Sequence, residues 1–173
     1  MSILNILKEP NKLLRQKSAE IHVIDEEIKN LAKDMLETMY NAPGIGLAAV
    51  QVGVLKRLIV VDISKEGEKK NPIFLINPKI VWKSDTLVNN EEGCLSIPGY
   101  YGNVDRYESC KIEYLDIEGK LNNINVSGLL SRCIQHEIDH CNGVLFIDHL
   151  SQLKREIIQK KIQKNNCLLY TSD

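Results

Sequence analysis

His136, Glu137 and His140 lie within the run Gln135-His136-Glu137-Ile138-Asp139-His140. Two histidines four apart on a helix are rotated by only about 40° and separated by about 6 Å along the axis, so both rings can reach one ion. Glu137 points to the side of the pair. There it can reach a water on that ion rather than the ion itself, which is the placement a general base needs. A lone histidine is more often a satisfied polar residue in a core. The pair with its glutamate is a moderately specific sign of metal-assisted hydrolysis. A catalytic zinc-type site takes three protein ligands and leaves one position open, so a third donor is required.

Several candidates lie downstream or nearby. One known zinc pattern places a histidine three residues after Gly143, but Phe146 stands there, and His149 is off that pattern. A site completed from a later helix would have to use Glu156, the only acid there besides the terminal Asp173. Cys133 shares the face of the histidines but sits about 10 Å along the axis from His140, and Cys141 is rotated by about 100°. Both read as small apolar packing residues. Cys110 falls in a strand pattern and Cys167 in a polar tail, neither with a catalytic context. Cys94 lies in Glu91-Glu92-Gly93-Cys94-Leu95-Ser96-Ile97-Pro98-Gly99, a loop by composition, with Gly93 permitting unusual backbone angles and Pro98-Gly99 marking the exit. Two imidazoles and one thiolate would leave a fourth position for water. Spacing alone does not decide for Cys94.

The elements that must position these residues follow from periodicity. Ile28, Leu31, Ala32, Met35 and Met39 recur at helical spacing after Asp25, a suitable N-cap, with Glu26 and Glu27 in the first turn; this helix should stop before Pro43-Gly44. "RLIVVD" from Arg57 reads as a buried strand, and "IFLINP" and "KIVW" as two more, bent at Pro78. Ile112 and Tyr114, a turn at Asp116–Gly119, then Ile124 and Val126 read as a hairpin. "GLLSRCIQHEIDHCN" reads as a buried helix closed by Gly143, and a last helix runs over 151–165 with Leu153, Ile157, Ile158 and Ile162 on one face. Residues 166–173 read as a flexible tail. The expected fold is α+β: mixed or antiparallel sheets packed around the His-Glu-x-x-His helix, with one helix before it and one after.

The bulk numbers fit this picture. The 173 residues make one ordinary domain, 1–173, and neither a repeat nor a composition break divides it. A net charge of −1 gives no general reason to bind nucleic acid. There is no apolar run of about 18 residues, so no membrane span is expected. "MSILNILKEP" is too short and too mixed for a signal peptide. Five cysteines, an odd number without short paired spacing, argue for reduced thiols in the cytoplasm.

Three segments taken together carry a resemblance. "GIGLAAVQ" (Gly44–Gln51), "EGCLS" (Glu92–Ser96) and "QHEIDH" (Gln135–His140), in this order, resemble the three signature motifs of the bacterial-type, metal-dependent peptide deformylases. The similarity runs from about Ile3 to the last helix. It implies that Cys94, His136 and His140 bind one divalent metal ion and that Glu137 is the catalytic acid/base. It implies removal of the formyl group from the N-terminal methionine of new polypeptides, with release of formate. Ferrous iron is the metal expected physiologically, with nickel, cobalt or zinc possible in a purified sample. Gln51, through its side-chain amide, and Leu95, through its backbone N–H, are the implied donors to the oxyanion. Gly44, Ile45, Gly46, Glu92 and Gly93 are implied along the substrate, and Leu129 and Cys133 join Ile45 as walls of the methionine pocket.

The first segment also satisfies the dinucleotide pattern G-x-G-x-x-A, with Asp62 at a suitable distance. That fingerprint needs a strand before it and a helix after it. Here a helical pattern precedes and a strand follows. The segment therefore reads as glycine-rich backbone lying close to a substrate peptide; the resemblance implies that an extended substrate pairs with it like an added strand.

Three positions depart from the family. Arg132 stands where an aliphatic residue often lines the pocket, Asn90 replaces a usual apolar residue, and Tyr101 stands where some members carry a substrate-facing arginine. These bear on pocket shape and substrate preference; the bland reading of Arg132 is a solvated side chain at the rim. Lys154, Arg155, Lys160, Lys161 and Lys164 give the last helix a basic stripe. Ordinarily that is a solvated face, but in the family this helix helps dock on the ribosome. The partners expected are thus N-formyl-methionyl nascent peptides and, weakly, the ribosome, with no membrane and with the chain a monomer. Competing readings are a zinc peptidase cutting internal bonds and a deformylase-like binding module. The presence of Glu137 and Gln51 argues against the second.

Overall fold

A computed structural model describes residues 2–171, with side-chain surroundings through Leu168. Three α-helices and seven strands follow one another as α1 (Glu26–Asn41), β1 (Gly46–Ala48), β2 (Leu58–Val61), β3 (Ile73–Lys83), β4 (Leu87–Cys94), β5 (Ile97–Tyr107), β6 (Ser109–Leu115), β7 (Leu121–Ser127), α2 (Gly128–Cys141) and α3 (Gln152–Thr171). The strands form an antiparallel five-stranded sheet in the order β1-β2-β3-β6-β7 and a separate β4-β5 pair. The class is α+β, as the sequence leads one to expect.

The carboxylate of Asp25 accepts from the backbone N–H of Ile28 and starts α1, and Glu26 and Glu27 complement its dipole. Strand β2 explains the layering. Leu58 and Val60 pack toward α1 with Met35 and Met39, while Ile59 and Val61 pack on the other face with Ile134 and Ile138 of α2. A strand buried on both faces has no polar side, hence the unbroken "LIVV". Helix α2 lies against β1, β2, β5, β6 and β7.

Four expectations need correction. "IFLINP" and "KIVW" are a single strand, β3, whose ladder to β6 is interrupted between Ile76 and Lys79. There Asn77 adopts φ 50° and its side chain bonds both the N–H and the C=O of Ile21, each at 2.8 Å. The proline marks a bulge, not a break. The segment around Cys94 is not a loop. It closes the β4–β5 hairpin, with Leu95 and Ser96 as a two-residue turn between Cys94 and Ile97. Its polar composition hid the strands, because these residues pair across the hairpin, as Asn89 does with Asp105 at 2.9 Å.

The last helix buries a narrower face than its periodicity suggests. Ile158 and Ile162 pack with Leu14, Phe146 and Leu150, whereas Leu153 and Ile157 are exposed. It also runs past 165 to Thr171, since no glycine or proline stops it, so Cys167 is helical rather than in a tail. The final two positions of the expected tail lie outside the described residues. No helix among the described residues is long and apolar enough to cross a membrane.

Candidate metal centre

Helix α2 delivers His136 and His140 on one face, and the end of β4 brings Cys94 to them. One ligand atom from each of the three lies within 4.8 Å of the others. The Cys94 Sγ stands 3.3 Å from the His140 Nε2. A sulfur and a nitrogen sharing one tetrahedral ion would stand about 3.5 Å apart, so the donor set fits a single metal. Cys141 is fully buried against the core and its thiol is pushed up to about 12 by burial, so it is packing, as its helical position implies. The Cys133 Sγ lies 3.6 Å from the carbonyl of Ile45, and burial raises this thiol well above its usual range. Glu156 is hydrogen-bonded to Gln152 on α3.

A chain of charged groups stands behind the ligands. Glu92 accepts from Arg106 Nε at 2.8 Å and Nη2 at 2.9 Å, and its Oε1 is 2.9 Å from His136 Nδ1. Arg106 reaches on to Asp139 at 2.6 Å, and His149 Nε2 meets the same Asp139 oxygen at 2.8 Å. Burial opposes the charge on Glu92, but the hydrogen bonds from Arg106 and His136 outweigh it and hold the carboxyl at about 2. Asp139 is likewise held down: burial works against it, and His149 and Arg106 prevail. For His136, burial resists a positive charge, while Cys94 and Glu92 favour it strongly. The same negative neighbours favour a metal cation on the free Nε2, with Nδ1 tied to Glu92. His140 is fully buried, and burial holds it well below its usual value, the neutral form a ligand needs.

Glu137 is 4% exposed, and its Oε2 has no hydrogen-bond partner among the described residues. Burial pushes its carboxyl up to about 7, into the range where one group can both take and return a proton. Gly46 makes room for it: a Cβ there would lie 2.6 Å from Glu137 Oε1 and 2.9 Å from Cys133 Sγ. Gln51 is buried in the 3-10 turn after β1. Its Oε1 accepts from Ala48 N at 2.9 Å and its Nε2 donates to Ser96 Oγ at 3.1 Å, within 3.6 Å of Cys94 Sγ.

An open cleft of about 790 Å³ runs over this centre. Gly44, Ile45 and Gly46 form one wall, Gly93, Cys94 and Leu95 another, and Leu129, Cys133, His136 and Glu137 the floor along α2. Leu129 and Ile45 remain 44% exposed, so apolar surface is available to a ligand. Of the thirteen positions singled out in the sequence, the cleft takes in all but His140, which lies beneath it. Glu92 lines the cleft, and both its carboxylate oxygens are engaged by Arg106 and His136. Arg106, Asp139 and His149 escape sequence reasoning. Their partnership depends on β4–β5 pairing, and only Asp139, three residues after His136, shares a recognisable pattern. The dinucleotide reading has no support: Gly44 follows a helix, and Asp62 is bound to Tyr40, Ser64 and Asn71.

Three soft and imidazole donors, a buried carboxylic acid beside them and an open cleft define a mononuclear metal hydrolase site. The family model described as polypeptide deformylase matches residues 3–156, and the chain belongs to that family. A peptide deformylase of Rhizobium meliloti (strain 1021) is 53% identical over 164 residues, 95% of this chain and 94% of that one. One from Pelagibacter ubique (strain HTCC1062) is 52% identical, covering 95% of each. The crystal structure of an Ehrlichia chaffeensis peptide deformylase in complex with actinonin superposes with a TM-score of 0.90 at 44% identity, over 95% of this chain and 98% of that one. A Legionella pneumophila peptide deformylase structure gives 0.89 at 45%, over 98% of both.

Proposed function

We propose that this protein removes the formyl group from the N-terminal formyl-methionine of newly made polypeptides, releasing formate. The observation that carries the reading is the placement of Glu137, buried and unpaired, beside the Cys94-His136-His140 donor set at the floor of a cleft wide enough for a peptide. When bound, a divalent ion supplies Lewis acidity that activates water near neutral pH. Cys94, His136 and His140 hold it; Glu92 and Arg106 keep the His136 ring in place.

Glu137 takes the proton of the attacking water and later delivers it to the leaving amine. The Gln51 amide and the Leu95 N–H donate to the formyl oxygen as negative charge builds there, each such donor being worth about 3 kcal/mol. For Gln51 this role is supported by its anchored oxygen, which turns the amide nitrogen toward Cys94. The chain after the methionine lies along Gly44, Ile45 and Gly46 as an added strand, and the methionine side chain packs on Ile45, Leu129 and Cys133. The metal is ferrous iron, with nickel, cobalt or zinc as substitutes; a thiolate with two imidazoles suits each of them. The Ehrlichia chaffeensis peptide deformylase is solved in complex with actinonin, and a ligand of that kind is expected to bind in this cleft. The setting is the cytoplasm, where Cys94, Cys110, Cys133 and Cys141 stay reduced. The enzyme works as a monomer, and the basic stripe of α3, from Lys154 to Lys164, makes a weak contact with ribosomal RNA.

The test is formate release from a formyl-methionyl tripeptide by protein purified without oxygen and loaded with nickel. Rapid release, abolished by a chelator and absent with the unformylated peptide, is expected. Protein that binds one metal and releases no formate would overturn the reading. Cleavage of internal bonds in unformylated peptides would instead favour a peptidase.

A further inference from the structure

The charged groups behind the cleft are committed to one another, whereas Arg132 on its wall is not. Arg106 has Glu92 and Asp139 on three of its nitrogens. Arg132, on the cleft wall one helical turn before His136, is half-buried and makes no ion pair or side-chain hydrogen bond among the described residues. A guanidinium carries donors only, and half-burial removes part of the water that would otherwise satisfy it.

Asn90, on β4 two residues before Glu92, is a different case, because it does not line the cleft. Asn90 Nδ2 is buried and has no hydrogen-bond partner among the described residues. A donor closed to water cannot meet a substrate group, so a substrate's acceptor oxygen would satisfy the Arg132 guanidinium alone. The other uncommitted charges at the cleft do not supply that oxygen. Lys8 is a cation, Glu91 is exposed, and Glu137 is the proton carrier of the proposed reaction.

We propose that Arg132 is a carboxylate-binding subsite of the cleft, so that formyl-methionyl chains with an aspartate or glutamate soon after the methionine are preferred substrates. An extended peptide advances about 3.3 Å per residue, and Arg132 starts about 6 Å from His136 along α2, which puts the second or third residue within its reach. The inference rests on the deformylase reading of the same site.

The experiment compares kcat/KM for formyl-methionyl peptides that differ only by Glu against Gln, at position two and at position three, in nickel-loaded protein at low salt. About a tenfold preference for Glu at one of the two positions is expected, shrinking as salt rises. The ratio should fall to about one in Arg132→Leu and in Arg132→Gln, and invert against a Lys peptide in Arg132→Glu. Thermal unfolding of each variant checks that it is folded. A ratio of one in the unmodified protein, with both peptides deformylated, would overturn the subsite and leave the reaction standing. A Glu preference that survives Arg132→Leu would remove Arg132 from the account. Failure to deformylate any formyl peptide would strike the reading on which the inference rests.

Discussion

A Glu92 carboxylate oxygen stands 2.9 Å from Nδ1 of His136, and the same carboxylate is clamped by two nitrogens of Arg106. The ring of this proposed metal ligand is thereby fixed in one orientation, with its other nitrogen free to face Cys94 and His140. Removing this support should loosen the ion without removing a ligand. In Glu92→Gln, metal affinity measured by competition with a chromophoric chelator is expected to fall about 10–100-fold. An unchanged affinity would show that packing alone orients His136.

Arg106 sits between two carboxylates and is only 4% exposed. Taking it away leaves Glu92 and Asp139 as buried charges without a cation, a loss of about 3–5 kcal/mol. Urea unfolding of Arg106→Leu should register that loss. A drop below about 1 kcal/mol would mean that water reaches these carboxylates.

The same clamp predicts a pH dependence of stability. The folded-state value of Glu92, about 2, lies below the ordinary 4.5, so its ionised form is stabilised by folding. That contribution is fully present above pH 4.5 and is lost as pH falls from there toward 2. Its size, about 3 kcal/mol, follows from the shift in pKa. In chelated protein, the unmodified chain should lose about that much more stability between pH 5 and pH 2 than Glu92→Gln does. Equal losses would show that the clamp contributes nothing to acid stability.

Glu137→Gln keeps the shape of the site and removes the proton carrier. It should bind metal as tightly as the unmodified protein while kcat falls about 10²–10⁴-fold. Metal content by elemental analysis, alongside formate release, separates the two effects. Substantial turnover in this variant would exclude Glu137 as the acid/base.

Gly46→Ala tests how closely that carboxylate is held. The new methyl would sit 2.6 Å from Glu137 Oε1, so the carboxylate must move. A displacement of about 1 Å costs on the order of 10²-fold in rate, and metal content should be unchanged because no ligand touches Gly46. Normal kcat would show that the floor of the cleft yields easily.

Local chemistry was legible in the sequence, and for a physical reason. The spacing of His136, Glu137 and His140, the Asp25 cap of α1 and the Asp116–Gly119 turn each depend on a few neighbouring residues, and helix and hairpin geometry turn such spacing directly into positions in space. Even the family resemblance of the three short segments is carried by residues close together in the chain. Tertiary structure decided what lies far apart. Cys94 is 46 residues from His140 and reaches it only because the β4–β5 hairpin packs on α2. Spacing along the chain cannot express that register. The run Glu91–Gly99 resembled a loop until pairing across the β4–β5 hairpin, with Glu92 bonded to Arg106, made strands of it. Arg106 looked like one cation among 22 basic residues until the hairpin set it between Glu92 and Asp139. Residue types and local periods specify which groups can do chemistry; the pairing of distant elements, driven by burial of β2 on both faces and of α2 against the sheet, specifies which of them meet.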